Sequence, residues 1–570
     1  MKAHRIARLL AGVSCMVVAF ATGMGTAMAA DAMAADTPAA SRPNVVVILL
    51  DDVGFSDVGA FGGEIPTPRI DALARNGLAF TQFYNSARCS PSRASLLTGT
   101  YPHQAGLGHL EGVDVPGAQG LRSRLTDRVV TLAEVLKPAG YFTAMAGKWH
   151  VGMSRGVGPW QRGFDRSLAT PFGELYYPEQ SQPIAQWVYI DGRRVPANAP
   201  EVGEGDWYSS DMYVDWQARF ITQAQAEGKP FFLYMPFTAA HFPLMAPAAD
   251  VVKFKGRYRE GWDALRRARF ERQKTLGIIP ANAELPPPLP NSYDWDRLTD
   301  ADKERFDTIM AVYAAVIARV DHAIGTLVDR LEQAGELDNT LILFMCDNGG
   351  NAESGPDGRL SGKGKPGGPD SVVWAGMNWA TLQNTPFQYF KHFTEEGGIA
   401  TPLIAHWPDG IDPALRGTLV DAPGHLIDVM PTVVEISGAT YPARHNGHAI
   451  LPMQGRSMLP AFHGEALARD KPLFWEHEGN RAVRDGKWKL VARFEQPWQL
   501  FDMSTDRAEM HDLSASRPDL VRAMARQWDD WAAQSFVDPW RPEYDRHLKG
   551  RKRQNWGGAD RIDRPYAVIE

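Results

Sequence analysis

Acidic and amide side chains follow two apolar segments that are predicted to be buried strands. Asp51 and Asp52 come directly after VVVILL, and Asp347 and Asn348 come after LILFM and one cysteine. Ligands in open α/β sheets bind beyond the carboxyl ends of the parallel strands, so we expect these side chains to lie close together. An Asp-Asp pair alone is more typical of a turn or a helix cap. Two such strand ends favour a cation, because neighbouring carboxylates repel each other without one.

The donor atoms of this group indicate which kind of cation it would hold. All four side chains offer oxygen, and none offers an imidazole nitrogen or a thiolate. Such a set favours a hard cation such as Ca²⁺ or Mg²⁺ over zinc.

Basic and imidazole side chains follow two further predicted strands. Lys148 and His150 come after the strand predicted over 142–146, and His241 comes after the one over 231–235. The same rule places them at the edge of the sheet that carries the carboxylates. The convergence of groups of different chemical kinds is stronger evidence for a site than any single motif.

The segment CSPSRASLLTG adds a candidate nucleophile at Cys89. Pro91 favours the first turn of a helix, so Cys89 should lie at a helix N-terminus, where amide groups and the helix dipole attract anions. Arg93 lies one turn later and adds a positive charge. A buried structural cysteine beside a surface arginine is the alternative that the pattern alone leaves open.

The elements that position these residues alternate between strands and helices. From 43 to 406, apolar runs typical of buried strands are separated by helical patterns over 70–75, 129–139 and 300–334, the last with Asp300 as its predicted N-cap. This order predicts an α/β fold, with a large, mostly parallel sheet sandwiched by helices.

Two stretches and the C-terminal part depart from this rhythm. Residues 151–228 and 253–297 are rich in Gly, Pro, Trp and Tyr, and we interpret them as long loops or insertions over the site. From 472 onward, short alternating segments and a helix over 518–534 predict a small α+β domain with an antiparallel sheet. The predicted domains are therefore a catalytic domain over 43–465 and a C-terminal subdomain with a tail over 466–570.

The N-terminus is predicted to be a signal peptide over 1–30. Arg5 and Arg8 precede a short apolar run over 13–24, and a small-x-small cleavage site, AMA, follows at 27–29. No later stretch is expected to cross a membrane, so the mature protein should be periplasmic or secreted. The formal net charge of -7, with acids and bases well mixed, argues against nucleic-acid binding.

Cysteine usage excludes a disulfide framework. The chain has three cysteines, and removal of the signal peptide leaves Cys89 and Cys346. A disulfide between them is possible by number, but a chemical role for Cys89 argues against it.

The segment CSPSRASLLTG resembles the signature of type I sulfatases, which belong to the alkaline-phosphatase-like superfamily. LLDDVGFSD, GKWHVG, AAHFP and CDNGGN are similar to the other blocks of that family, in the same order. Residues 384–408 resemble the version found in bacterial arylsulfatases. The resemblance covers about 43–464. Cys346 departs from it, since family members more often have a serine or another small residue there.

The resemblance implies an alkaline-phosphatase-like fold, arylsulfatase activity and one calcium ion. It implies that Cys89 is converted to formylglycine by a formylglycine-generating enzyme, and that the hydrate of this aldehyde is the nucleophile. The ion would be held by that hydrate together with the oxygen ligands already described: Asp51, Asp52, Asp347 and Asn348.

The resemblance also implies a role for each polar residue. Arg93 and Lys148 would stabilise the hydrate, and His150 would accept the proton that lets sulfate be expelled. His241 and Lys391 would bind sulfate oxygens and assist departure of the alcohol. These roles agree with the chemistry, because a sulfate ester is an anion and further negative charge grows on its leaving oxygen.

Two alternatives remain at this point. The first is a phosphonate monoester or phosphodiester hydrolase of the same superfamily, and the second is a catalytically inactive, carbohydrate-binding relative. The expected substrate is a small-molecule or saccharide sulfate ester, and the sequence does not identify which one. Trp374 and Trp379 are candidates for an aromatic subsite because they lie close to Lys391 in the sequence, and His392 either supports the site or faces solvent.

Overall fold

The computed structural model describes residues 42–181 and 186–544, so the predicted signal peptide and the tail from 545 lie outside the described residues. The strands in the described part are β1 (Asn44–Leu50), β2 (Leu78–Tyr84), β3 (Phe142–Lys148), β4 (Arg166–Thr170), β5 (Trp187–Ile190), β6 (Arg193–Pro196), β7 (Phe231–Pro236), β8 (Thr340–Cys346), β9 (Arg359–Gly362), β10 (Ser371–Trp374), β11 (Ala400–His406), β12 (Thr418–Val420), β13 (Gly424–His425), β14 (Arg444–His445), β15 (His448–Ala449), β16 (Leu473–His477), β17 (Asn480–Asp485), β18 (Trp488–Ala492) and β19 (Gln499–Asp502).

The α-helices in the same ranges are α1 (Pro68–Arg75), α2 (Cys89–Thr98), α3 (Pro102–Ala105), α4 (Leu132–Leu136), α5 (Ser209–Ala226), α6 (Ala248–Val251), α7 (Trp262–Thr275), α8 (Asp300–Gln333), α9 (Met377–Gln383), α10 (Glu396–Ile399), α11 (Val429–Ser437), α12 (Leu459–Phe462) and α13 (Pro518–Gln534).

The main sheet is mixed and mostly parallel around β1. β1 pairs in parallel with β7 and with β8, β7 pairs in parallel with β3, and β3 pairs in parallel with β4. Beyond β8, β11 runs antiparallel between β8 and β2, while β5 and β6 form an antiparallel edge next to β4. The predicted α/β fold with helices on both faces is confirmed.

The apolar runs form central strands because both of their faces are covered. Alternate residues of β1 belong to two hydrophobic cores: Val46 and Ile48 to one, and Val45 and Val47 to the other. A strand covered on both faces needs a continuous apolar sequence, which is what VVVILL supplies.

α8 is the long helix that the sequence predicts, but its N-cap is Thr299 rather than Asp300. The Thr299 hydroxyl accepts a hydrogen bond from the amide of Asp302 at 3.2 Å. The same kind of cap moves the start of α4, because Thr131 accepts from the amide of Glu134 and the helix begins at Leu132 instead of 129. The apolar face of α8, which includes Met310, Val316 and Ile324, is buried.

By length and composition alone, α8 is also apolar enough to cross a membrane, which the sequence analysis did not expect. In its most apolar 18-residue window, 72% of the residues are buried inside the structure. Such burial is typical of the core helix of a globular domain.

Of the two interpretations of 151–228 and 253–297, the one as long loops is wrong, and the one as insertions stays a prediction. The first stretch contains β4, β5 and β6 of the main sheet and the 18-residue helix α5, and the second contains α7. The apolar face of α5 includes aromatic side chains, with Tyr213, Trp216 and Phe220 buried. Tyrosine and tryptophan spaced among polar residues did not show the helical period clearly.

The C-terminal part agrees with its prediction. β16, β17, β18 and β19 form an antiparallel sheet in that order, and α13 packs against β17 and β18. The first of these strands begins at Leu473. The domain boundary between 465 and 466 stays a prediction.

Candidate active site

The carboxylates meet because β1 and β8 are parallel neighbours. Leu50 pairs with Cys346 at their ends, so Asp51 and Asp52 leave the sheet beside Asp347. All three aspartates are buried. Single ligand atoms of these aspartates and of Cys89 all lie within 4.8 Å of one another.

This group fits a divalent cation. The Asn348 side-chain Nδ2 donates to Asp52 Oδ1 at 2.7 Å, while Asn348 Oδ1 is buried and has no hydrogen-bond partner among the described residues. Burial, followed by the charge of Asp51, raises the pKa of Asp347 to about 7. A cation would satisfy the free oxygen and remove the repulsion, and hard cations prefer oxygen ligands.

Two cationic side chains lie against these carboxylates. Lys148 Nζ lies 2.5 Å from Asp51 Oδ2, and Arg93 Nη2 lies 2.7 Å from Asp347 Oδ2 and 3.3 Å from Asp51 Oδ2. Burial acts to raise the pKa of Asp51, but Lys148, followed by His241 and Arg93, holds it well below its usual range. Asp51 is therefore an anion at neutral pH.

Cys89 lies at the centre of this arrangement. It is the first residue of α2, and its Sγ donates to Asp51 Oδ1 at 3.6 Å. Cys89 is only 1% exposed, and burial raises the pKa of its thiol to about 12. At neutral pH an unmodified Cys89 is protonated and is therefore a poor nucleophile.

The remaining predicted residues surround the same group. Lys391 Nζ lies 2.7 Å from Asp52 Oδ1. His241 Nε2 lies 3.8 Å from Asp52 Oδ2, and His241 Nδ1 lies 2.7 Å from the carbonyl oxygen of Phe242, a contact that orients the ring. Burial, together with Lys148, holds the pKa of His150 well below its usual range, so its imidazole is neutral.

The backbone at two of these positions is strained. Asp52 has a backbone φ of 59° and His150 a φ of 53°, values that residues other than glycine rarely adopt. Such conformations persist where the surrounding structure enforces them, and they concentrate at functional sites.

The structure brings every site residue predicted from the sequence into one cluster, which we call the catalytic cluster. Its members are Asp51, Asp52, Cys89, Arg93, Lys148, His150, His241, Asp347, Asn348 and Lys391.

The two aromatic candidates, Trp374 and Trp379, lie in different surroundings. Trp374 lies against Phe242 with ring centroids 3.9 Å apart, and Phe242 stacks on His241 at 4.3 Å, so these rings form a wall beside the cluster. The prediction for Trp379 is wrong, because its ring is fully buried against Trp262 in the hydrophobic core.

Three polar residues at the cluster were missed by the sequence analysis. Asn351 Nδ2 donates to Asp52 Oδ2 at 2.9 Å, and its presence within CDNGGN was a signal that could have found it. Glu353 Oε1 lies 2.8 Å from Arg88 Nη1 and 3.5 Å from Lys391 Nζ. The strand β2 that precedes Arg88 was not predicted, and Glu353 lies outside the motif CDNGGN, so neither residue was marked.

Two residues with uncertain roles are also placed. His392 contacts Arg88 and lies 3.2 Å from Glu353 Oε1, so it supports the site rather than facing solvent freely. Cys89 and Cys346 are both buried and free, as expected.

Comparison with known proteins decides the family. A family model described as Sulfatase matches residues 43–439. The chain belongs to the sulfatase family. A second model, described as the C-terminal part of N-sulphoglucosamine sulphohydrolase, matches residues 387–531 and so includes the antiparallel sheet of this sulfatase.

Relatives with known names are similar over most of their length. The chain is 38% identical to an arylsulfatase of Klebsiella aerogenes over 73% of this chain and 91% of that protein. It is 34% identical to an uncharacterized sulfatase of Schizosaccharomyces pombe over 87% of this chain and 94% of the relative. Among solved structures, Ps i-CgsB in complex with k-i-k-neocarrahexaose matches with a TM-score of 0.65 and 27% identity, over 88% of this chain and 95% of that one. Sulfate ester hydrolysis is thus the activity that the family supports for this sulfatase.

Proposed function

We propose that this chain is an arylsulfatase that hydrolyses a sulfate monoester to a phenol or alcohol and inorganic sulfate. The observation that carries the proposal is the position of Cys89, which begins α2 beside three buried carboxylates and the cations Arg93 and Lys148. The similarity to an arylsulfatase of Klebsiella aerogenes supports the aryl preference.

The environment of Cys89 supports its conversion to formylglycine. A cysteine nucleophile needs a lowered pKa, whereas burial raises the pKa of this thiol to about 12. The hydrate of formylglycine supplies one hydroxyl oxygen that attacks sulfur and a second hydroxyl that, on losing its proton, expels sulfate and re-forms the aldehyde. A cysteine at this position would instead remain covalently blocked after the first transfer.

The resident cation in this proposal is calcium. Asp51, Asp52, Asp347 and Asn348 would hold it together with the side chain at position 89, and they supply only oxygen. When bound, the ion acts as a Lewis acid and balances the negative charge of the cluster.

The side chains of this sulfatase divide the remaining work by their positions. Arg93 and Lys148 contact Asp51 next to Cys89, so they stabilise negative charge on the nucleophile. His150 is neutral and can accept a proton. Lys391 and His241 lie on the Asp52 side, where they bind sulfate oxygens and provide the proton for the leaving oxygen.

The aromatic wall supports a ring-shaped leaving group. Phe242 and Trp374 lie next to His241, the residue that we assign to the leaving oxygen. An aryl ring stacked on this wall would place its ester oxygen near His241.

The proposal is tested by two measurements on the purified protein. We expect the peptide that contains position 89 to have the mass of formylglycine, and p-nitrophenyl sulfate to be hydrolysed faster than phenyl phosphonate monoesters or sulfated sugars. A thiol at position 89 in fully active protein would overturn the nucleophile. Dominant turnover of the phosphonate would overturn the reaction class, and Cys89→Ala controls for contaminating activity.

Maturation and location belong to the same proposal. The chain would be exported to the periplasm or the medium through its N-terminal signal, and a formylglycine-generating enzyme would be its partner. Co-expression with such an enzyme should raise the aldehyde fraction at position 89, and fractionation of the cells should find the mature chain outside the cytoplasm.

A further inference from the structure

A second group of metal-binding side chains lies where the C-terminal sheet meets the main domain. His477 ends β16 and Glu478 begins the turn to β17, while His109 belongs to the main-domain loop after α3. Single ligand atoms of His109, His477 and Glu478 all lie within 4.8 Å of one another. None of the three belongs to the catalytic cluster.

Three imidazole rings converge on a single carboxylate oxygen in this group. Glu478 Oε1 lies 3.1 Å from His109 Nε2, 3.4 Å from His477 Nε2 and 3.2 Å from His392 Nδ1. A carboxylate oxygen has about two lone-pair directions, so it cannot accept well-formed hydrogen bonds from all three rings. The group therefore contains more imidazole nitrogens than this carboxylate oxygen can pair with.

His477 provides an independent sign of a missing partner. Its side chain is fully buried, and neither ring nitrogen makes a hydrogen bond of normal geometry to any described residue. An unsatisfied buried polar group of this kind is costly, and a bound ion would satisfy it.

Trp540 covers the group beside His109, while Glu478 remains partly exposed to solvent. The Trp540 ring stacks on His109, with centroids 4.9 Å apart and an interplanar angle of 4°. The Glu478 side chain is 17% exposed, so an ion can enter from solvent past this carboxylate.

We propose that His109, His477 and Glu478 bind a divalent transition-metal ion such as Zn²⁺. Two imidazoles and one carboxylate favour zinc or a similar ion over calcium, which prefers oxygen ligands only. His392 lies on the Glu478 carboxylate and orients it, in the way that second partners orient metal ligands in other proteins. This site is chemically distinct from the oxygen site of the catalytic cluster.

The position of the site gives it a structural consequence. The ion would link the turn between β16 and β17 to the main domain. Arg88 and His392, which contact each other beside this turn, are the sequence neighbours of Cys89 and Lys391. A metal bound there would therefore fasten the C-terminal sheet to the edge of the catalytic cluster.

Cobalt titration of tag-free, full-length protein tests the proposal. The protein is treated with a chelator, saturated with Ca²⁺ to fill the oxygen site, and titrated with Co²⁺. We expect one equivalent of Co²⁺ to bind, with visible absorption typical of a four-coordinate, nitrogen-ligated ion, and Zn²⁺ to displace it. Absence of this absorption in the unmutated protein overturns the proposal without any variant.

Variants locate the ion if it binds. His477→Gln and His109→Gln should each weaken Co²⁺ binding at least about 100-fold, since loss even of residues behind the ligands costs up to that much. His322→Gln, on the exposed side of α8, is the matched control and should bind as the original does. Unchanged Co²⁺ binding in both ligand variants would overturn the assignment. The melting temperature in Ca²⁺ alone verifies that each variant is folded.

Discussion

Two groups of buried charges in this molecule look alike in composition and differ in what their carboxylates converge on. In the catalytic cluster, Arg93 and Lys148 face two aspartates, Asp51 and Asp347. Beneath the C-terminal sheet, Lys489 is fully buried, with its Nζ 2.9 Å from Glu396 Oε1 and 2.7 Å from Glu509 Oε1. We call this second group, with Arg507 beside Glu396, the joint cluster.

The ion pairs of the joint cluster connect the main domain to the C-terminal sheet. Glu396 belongs to α10 next to the main sheet, and Lys489 belongs to β18 of the C-terminal sheet. The catalytic cluster instead brings single ligand atoms of Asp51, Asp52, Asp347 and Cys89 within 4.8 Å of one another. Buried carboxylates that converge on a lysine of another element hold elements together, whereas buried carboxylates that converge on one another indicate a site that takes a cation.

Removal of the proposed nucleophile gives the largest expected effect and tests the functional half of this comparison. Cys89→Ala should lower kcat/KM for p-nitrophenyl sulfate at least about 10⁴-fold, because no other side chain can replace the nucleophile. Its free energy of unfolding should change by no more than about 1 kcal/mol. Cys346→Ala, which also removes a buried thiol, is the control and should keep the activity. Substantial turnover by Cys89→Ala would contradict the proposed mechanism.

Removal of the central cation of the joint cluster tests the structural half. Lys489→Met leaves Glu396 and Glu509 buried without their shared partner, so we expect a loss of about 3–5 kcal/mol in the free energy of unfolding, measured with denaturant. Lys487→Met removes an exposed pair with Asp502 and should cost less than about 1 kcal/mol. If both variants lost the same stability, the joint cluster would not be the element that holds the two sheets together.

Substitution of the residues that we assign to the leaving group should have a smaller effect, and one that depends on the substrate. Lys391→Ala and His241→Ala should each slow phenyl sulfate about 10²-fold more than p-nitrophenyl sulfate, because a poor leaving group depends more on a proton donor. The measurement is kcat/KM over a series of aryl sulfates with increasingly basic phenols. An equal loss on every ester would show that these residues only bind the sulfate.

The smallest effect is a pH dependence of stability in the joint cluster. Burial, together with the charge of Glu396, raises the pKa of Glu509 to about 8 against the pull of Lys489. Glu509 then binds a proton on folding, so its contribution to stability is lost as pH rises from about 5 to about 8. Glu509→Gln should remove this slope in denaturant unfolding measured across that range. An identical slope in both proteins would contradict the assignment.

Most of the catalytic cluster could be predicted because its residues are local to recognisable elements. Asp51, Asp347 and Lys148 lie at the ends of apolar strands, and parallel pairing brings such ends together. Cys89 was marked by its own motif, while Lys391 was found only through the resemblance of its segment to bacterial arylsulfatases.

The features that sequence reasoning missed depend on tertiary contacts, or on competition between neighbouring residues for the same capping position. Glu353 and Arg88 meet only because two loops pack against each other, and neither loop carries a periodic pattern. Thr299 and Asp300 are both good capping residues, and the choice depends on which side chain reaches the amide of Asp302. α5 was overlooked because aromatic residues supply much of its buried face.

The burial of Cys89 implies an order of modification and folding. The residue is 1% exposed at the start of a fully buried helix, and a modifying enzyme has to enclose the side chain that it oxidises. The proposed oxidation therefore has to finish before the sheet closes, while the nascent or exported chain is still extended. Folding and modification then compete for the same molecules, so the ratio of aldehyde to thiol in a preparation records which process was faster.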